Sequence, residues 1–465
     1  MAAELSLRPT SIPGLVVLTL PVHGDDRGFF KENWQRAKMV ALGLPDLEPV
    51  QNNVSFNATV GVTRGFHAEP WNKLVSVATG KVFGAWVDLR EGETFGRVET
   101  VEIDERTTVF VPAGVANAFQ TLEPGTAYSY LVDDHWSPAA RDAYTYVNLA
   151  DPTLGVGWPV PLDQAELSDA DRTHPMLADV TPMRGGRVVV VGSGGQVGQA
   201  FAAAFPHAEL TTRAELDLAD PASVAEFDWT GVRLVLNAAA YTKVDAAETP
   251  EGRRDAWAAN ATGVAALARV ARERHAVLVH VSSDYVFDGT ADEHTEDESL
   301  SPLGVYGQSK AAGDLAALEA GRVYILRSSW VVGAGGNFVR TMVSLADKGV
   351  RPSVVSDQLG RLTFADEIAR AAKHLVDVEA PFGVYNLSGA GPVQSWADIA
   401  ADVFELRGVD RSAITPVSTE VYGAGKQMAP RPLRSALSLS KIEATGFEPR
   451  PVADSLRDYV GELPA

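Results

Sequence analysis

The sequence predicts two domains of different class, an all-β sandwich or barrel followed by an α/β domain on a doubly wound parallel sheet. Three observations carry this. The chain has 465 residues, and single domains usually run to about 100–200. Its first ~170 residues are broken by Gly, Pro, Asn or Asp at the roughly eight-to-twelve-residue spacing of an all-β fold. Beyond residue 187, unbroken apolar runs alternate with helical stretches, which is the pattern of parallel strands buried on both faces.

In the first half the candidate strands are LVSVA (74–78), VFGAWVDL (82–89), TTVFVP (107–112) and AYSYLV (127–132). Val, Phe and Tyr dominate them, as side chains that suit a pleated surface. Only 32–42 hints at helical periodicity. A polar, proline-bearing stretch ends this region, giving an expected domain over 1–175, a linker over 176–186 and a second domain over 187–465. In the second domain RVVVVG (187–192), VRLVLN (232–237), AVLVHVS (276–282) and RVYILR (322–327) read as buried strands, and 196–205 as a helix.

Hydrophobic residues make up 46% of the chain and charged residues 22%, ordinary values for a globular protein. The net charge of −20 argues against nucleic acid or an anionic membrane as partner. It leaves room for an anionic small ligand held by a few arginines. With no cysteine, disulfides, thiolate metal sites and a cysteine nucleophile are excluded. No secretory pattern opens the chain and no run is long and apolar enough to span a bilayer, so a cytoplasmic location is expected.

The strand at 187–192 runs into GSGGQVG, which spaces Gly192, Gly195 and Gly198 before a helix. Such glycines let the backbone approach a pyrophosphate, and the helix N-terminus offers free N–H groups to it. A Rossmann-type cofactor site for NADPH or NADH is expected. Arg213, after the next strand, favours NADPH by matching a 2′-phosphate, while the acids that would bind ribose hydroxyls come later, at Glu215 and Asp217. Farther on, Tyr306 and Lys310 share a helical face, an arrangement in which an ammonium lowers a neighbouring phenol's pKa. Ser283 ends the preceding strand and would supply a second hydrogen bond to a carbonyl oxygen receiving hydride.

These residues resemble the extended short-chain dehydrogenase/reductases that act on sugar nucleotides. NAAAYTKVDAAE (237–248), SSDYVFDG (282–289), YGQSKAAGD (306–314), RSSWVVGAGGNFV (327–339), DQLGRLTFADEIA (357–369) and Arg431-Pro432 resemble, in order and spacing, the dTDP-4-dehydrorhamnose reductase family. The resemblance implies a small substrate-binding subdomain beside the Rossmann sheet. It implies that Gly195, Gln196, Val197, Asp217, Leu218, Ala240, Tyr241 and Thr242 line the cofactor. By the same likeness Asp284, Tyr285 and Trp330, with Ser283, face the sugar nucleotide or nicotinamide. Ser283 and Leu362 depart from the family's threonine and proline. Asp245, Glu248 and Asp366 read as cap or surface charges.

The first half contains GVTRGFHAEPWNKL (61–74), which crowds Arg64, His67, Glu69 and Lys73 among aromatic residues. Epimerising a carbon next to a ketone needs a base, an opposing acid and a cation for the enolate, and histidine suits the base. DDRGFFKE (25–32), VQNNVSFN (50–57), TRGFH (63–67), NKLVSVATGKV (72–82), VDLREGETFG (87–96), FVPAGVANAF (110–119), DPTLGVGWP (151–159) and ELSDADRTHP (166–175) are similar to the dTDP-4-dehydrorhamnose 3,5-epimerases, a metal-free, cupin-like jelly-roll family. The resemblance implies His67 as base, oriented by Asp171, with Lys73 for the enolate and Tyr130 as the opposing acid. Arg27, Gln51, Asn53 and Arg64 would hold a dTDP-4-keto-6-deoxyhexose. It also implies a homodimer.

The departures are a short His67–Lys73 segment, Asn117 in place of histidine, and His135-Trp136 in place of a tyrosine pair. Glu69 and Trp71 receive no assignment, and His67 with Glu69 is too small a set for a metal. Two alternatives stand beside a bifunctional enzyme: a reductase carrying a non-catalytic binding or dimerisation module, and the same two activities in another deoxysugar pathway.

Overall fold

The computed structural model describes residues 4–135, 143–183 and 186–464. It divides into two compact units, Met1–Gly186 and Arg187–Ala465.

The first unit is an antiparallel β-sandwich of a six-stranded and a five-stranded sheet. In the larger sheet, Lys73–Thr79 is flanked by Thr107–Val111 and Thr126–Val132, and Gln51–Asn57 forms one edge. In the smaller, Thr63–Ala68 lies between Thr145–Tyr146 and Val115–Thr121, followed by Val82–Asp88 and Val98–Ile103. The strands coincide with the apolar runs of the sequence because inward positions interlock between sheets. Val75, Val77, Trp86, Val109, Phe119 and Tyr128 form that core. Trp86 is fully buried, so its truncation to Ala would cost about 3–5 kcal/mol. The hint of helix at 32–42 is a short helix, Arg36–Ala41, whose N-cap Gln35 side chain accepts from Lys38 N at 2.7 Å.

The described part of 176–186 carries one 3₁₀ turn, Leu177–Asp179. It lies on this unit: Leu177 N donates to Asp151 Oδ2 at 2.6 Å and Met183 N to Leu89 O at 2.7 Å. Residues 184 and 185 lie outside the described residues.

The second unit is built on a six-stranded parallel sheet. In spatial order its strands are Glu209–Thr211, Arg187–Val191, Val232–Asn237, Val277–Ser283, Val323–Ser328 and Gly383–Leu387. Helices cover both faces. Val264, Leu267 and Ala317 pack on one, and Phe201, Ile368 and Ala372 on the other. The strand order reverses beside Arg187–Val191, which opens a crevice at the carboxyl ends of the strands. A third cluster, with Ile399, Phe404 and Leu456, gathers helices Phe338–Asp347, Trp396–Leu406 and Val452–Glu462 into a subdomain. No helix among the described residues is long and apolar enough to cross a membrane.

Candidate active sites

In the first unit, His67 sits in the five-stranded sheet, paired in register with Tyr146 on one side and Asn117 on the other. The strand register slips just after Asn117, and such bulges re-aim neighbouring side chains. His67 Nε2 lies 3.0 Å from Asp171 Oδ1. Asp171 rides on the short helix Asp169–Arg172, whose N-cap Ser168 donates from Oγ to Asp171 Oδ2 at 2.9 Å. Burial raises this carboxyl's pKa, but the bonds from His67 and Ser168 outweigh it and hold the pKa below the ordinary value. His174 also approaches Asp171 and stacks on Tyr146 at 4.6 Å.

Lys73 and Tyr130 come from the other sheet. Their strands pair antiparallel, with Val132 opposite Lys73, and Lys73 Nζ stands 5.5 Å from the Tyr130 ring centre. Lys73 is buried and ion-paired with the equally buried Glu69. The short turn between them makes this possible. Asn72 clamps it, donating from its backbone and side chain to Asp133 and accepting from Ala113 N at 2.9 Å. Burial draws the Lys73 ammonium down to about 7, while the Glu69 carboxylate works in the other direction. Burial raises the Tyr130 phenol, opposed by the nearby Arg64 guanidinium.

Gln51 and Asn53, bonded to each other at 2.8 Å, stand beside Tyr130 on the edge strand. They line a cavity of about 200 Å³ with Glu69, Trp71, Tyr130 and Tyr144. Its lining stops short of His67, which a chain of aromatic rings, Trp71–Tyr144–Tyr146, connects to it. Arg64 is exposed and bonds Asn57 Oδ1 at 3.3 Å. Arg27 is not brought to this cluster: it projects from the hairpin Val22–Asp25/Gly28–Lys31, exposed and paired with Asp25.

Sequence reasoning missed Glu69, Tyr144, Tyr146 and His174. Tyr146 meets His67 edge-on, with ring centres 5.4 Å apart. Trp136 lies outside the described residues. Asn117 accepts from the buried Tyr128 hydroxyl at 3.0 Å.

In the second unit the glycine loop is a cradle that side chains would fill. Gly192 has φ +81°, and a Cβ there would lie 2.8 Å from the Ala239 backbone. A Cβ on Gly198 would lie 2.2 Å from Gly192 O. Gly195 caps helix Gln196–Ala204 with no side-chain bond, so its N–H groups face outward as a phosphate site requires. Val197 is partly buried here, Leu218 is buried, and Ala240 and Thr242 lie exposed beyond strand Val232–Asn237. Arg213 is exposed and pairs with Asp217 at 3.1 Å. These residues fit a dinucleotide.

Ser283 ends its strand, and its hydroxyl acts to lower the Tyr306 phenol's pKa. It also donates to the buried Asp284 at 3.0 Å. Burial pushes Asp284 up to about 6. Tyr285 meets Tyr306 edge-on, 5.5 Å between ring centres. Helix Val305–Leu318 carries Tyr306 and Lys310, and Glu248 accepts from its Val305 N at 2.8 Å. Asp245 pairs with Arg431 at 2.8 Å.

The expected lowering of the Tyr306 phenol is not what the structure gives. Burial pushes Tyr306 up to about 12, because Lys310 Nζ donates to Val281 O at 2.7 Å and lies 3.5 Å from His280 Nε2 instead. Burial draws Lys310 itself down to about 8. His280, whose signal was a polar ring in an apolar strand, is fully buried and bonds Asn237 at 3.0 Å. Asn260, in a π-helical turn, bonds Tyr241 and Ser309; such turns recur at functional sites. Trp330 has φ +48° and stacks on Trp396 at 3.8 Å, over Gly360.

Comparison with known proteins divides the chain at the same place. Residues 9–179 match the dTDP-4-dehydrorhamnose 3,5-epimerase family, and residues 186–464 match the RmlD substrate binding domain. A Streptococcus pyogenes protein named Protein RmlC homolog is 53% identical over 178 residues, covering 37% of this chain and 89% of that protein. The dTDP-4-dehydrorhamnose reductase of Mycolicibacterium smegmatis is 36% identical over 288 residues, covering 60% of this chain and 86% of that one. The crystal structure of dTDP-4-dehydrorhamnose reductase from Bacillus anthracis in complex with NADP superposes with a TM-score of 0.55 at 29% identity, covering 59% and 98%. The chain belongs to the RmlD substrate-binding-domain family, fused behind a domain of the dTDP-4-dehydrorhamnose 3,5-epimerase family.

Proposed function

We propose that this chain carries out two consecutive steps of dTDP-L-rhamnose formation. The first unit epimerises dTDP-4-dehydro-6-deoxy-D-glucose at C3 and C5, and the second reduces the 4-ketone with NAD(P)H. The observation that carries the first step is that His67, bonded to Asp171, stands on one sheet and Lys73 and Tyr130 on the other. A base and an acid from opposite sheets suit inversion at a carbon, which needs proton removal from one face and return from the other.

In this reading Asp171 holds His67 Nε2–H, leaving Nδ1 to take the carbon-bound proton, and stabilises the imidazolium that results. The Lys73 ammonium stabilises the enolate oxygen, so the step requires no metal. Tyr130 returns the proton. Gln51, Asn53 and Arg64 hold the nucleotide sugar.

In the second unit the glycine loop seats the dinucleotide and Arg213 favours the 2′-phosphate of NADPH. The reduced nicotinamide supplies the hydride. Tyr306 hands its proton to the ketone oxygen, Ser283 bonds that oxygen, and Lys310 holds positive charge beneath. Asp284, Tyr285 and Trp330 shape the sugar side. A reductase drawing on reduced nicotinamide belongs in the cytoplasm.

We further propose a homodimer through the first unit. On the edge strand Gln51–Asn57 the usual polarity is inverted: Gln51 and Asn53 turn inward, while Val54 and Phe56 are 63% and 66% exposed. Phe29 and Phe30 are exposed on the hairpin. Apolar surface of this kind marks an interface, and light scattering of the full chain tests it: a monomer sinks this part.

The decisive experiment incubates the full chain with the keto-sugar in D₂O without reduced cofactor. Deuterium entering C3 and C5, seen by NMR and lost in His67→Ala, supports the epimerase; subsequent NADPH oxidation supports the reductase. No exchange, with authentic epimerised ketone still reduced, would leave the first unit as a binding module.

A further inference from the structure

The cluster at Asp171 holds more nitrogen than an acid–base dyad needs. Asp171 Oδ1 lies 3.0 Å from His67 Nε2 and 3.4 Å from His174 Nε2. All three atoms fall within 4.8 Å of one another. Zinc binds imidazole and carboxylate at about 2.0–2.2 Å in a tetrahedron, whose ligand atoms stand roughly 3.3 Å apart by that geometry. Two of the three edges therefore already have nearly the required length.

The surroundings fit as well. His174 Nε2 is buried and without a hydrogen-bond partner. Its ring is fixed by stacking on Tyr146. Ser168 holds the other carboxylate oxygen, the outer-shell bond that orients such ligands. His67 remains 36% exposed, which leaves an entry path and an open fourth position.

We propose that His67, Asp171 and His174 bind a divalent transition-metal ion of the zinc class, and that the bound ion switches off proton transfer at His67. The chemistry is simple. A metal on Nε2 of a neutral imidazole moves the ring proton to Nδ1. His67 then has no lone pair with which to take a proton from carbon. The inhibition rests on His67 being the epimerase base; the binding does not.

The test titrates the full-length, metal-stripped chain with Co²⁺, following visible d–d absorption, and then with Zn²⁺ by calorimetry. One ion per chain is expected, with Zn²⁺ displacing Co²⁺. His174→Ala should weaken affinity by at least about the tenfold that loss of a supporting partner costs. In the wild type, Zn²⁺ should stop exchange and a chelator restore it; the rate His174→Ala shows without metal should not change at the same Zn²⁺ concentration.

Broadening of the His67 and His174 ring signals by Co²⁺ gives the same answer in the wild type, should the variant fail to fold. Absence of binding, or binding unchanged in His174→Ala with those signals intact, overturns the site. Binding at these residues that leaves exchange running overturns the switch. Binding in a chain that never exchanges keeps the site and removes the epimerase reading.

Discussion

His67 and Asp171 are 104 residues apart in the chain and 3.0 Å apart in space, from Nε2 to Oδ1. The contact fixes which ring nitrogen is free. Asp171→Asn preserves shape but removes the charge that stabilises an imidazolium. Deuterium exchange at C3 and C5 should fall by about 10²–10⁴, with reduction of authentic epimerised ketone unchanged. Exchange within a few-fold of wild type would remove Asp171 from the mechanism.

Lys73 and Glu69 predict a pH dependence. Burial draws Lys73 down to about 7, so the ammonium is present below that pH and lost above it. Exchange should therefore decline on the alkaline side. Glu69→Gln removes the carboxylate that keeps the ammonium charged, so the decline should begin about one pH unit lower. A pH–rate profile of both proteins decides it, and superimposable alkaline limbs would contradict the coupling.

Tyr306→Phe should lower ketone reduction by about 10²–10⁴ and leave deuterium exchange intact. With the phenol at about 12 and Lys310 at about 8, Tyr306 stays protonated through the working range. Lys310 loses its charge above pH 8, so reduction should decline there. Lys310→Arg should remove that alkaline limb even where its rate is lower. A limb unmoved in this variant would assign it to another group.

Arg213 lies exposed beside Asp217, where a 2′-phosphate would compete for it. Arg213→Ala should raise KM for NADPH by about tenfold, the worth of one charge-assisted bond, and leave KM for NADH unchanged. Equal effects on both coenzymes would contradict the assignment.

Gly198 has no room for a methyl group, since its Cβ would lie 2.2 Å from Gly192 O. Gly198→Ala should destabilise the second unit by about 1–3 kcal/mol and weaken dinucleotide binding in a fluorescence titration, while deuterium exchange continues. Normal coenzyme affinity would show that the loop gives way more easily than its geometry implies.

The strands were legible because each apolar run pays out in one interlocking core, and Gly192 and Gly198 were legible because only a glycine fits. What escaped was proximity between distant segments. Nothing local in THP announces that His174 returns to Asp171, and nothing in AYTY says that Tyr146 will lie against His67. The Tyr306 phenol was misjudged for a related reason. Helical spacing gives the shared face of Tyr306 and Lys310, but Lys310 is held by Val281 O from a neighbouring strand.

The turn that sets Glu69 over Lys73 also constrains how this segment can change through descent. Asn72 binds Asp133 on one side and Ala113 on the other, and Lys73 begins the next strand. One inserted residue would break the clamp and shift the strand's register, turning Lys73 to the opposite face. Among descendants of this chain, the number of residues from His67 to Lys73 should therefore be held more strictly than the identities of Ala68 and Pro70 between them.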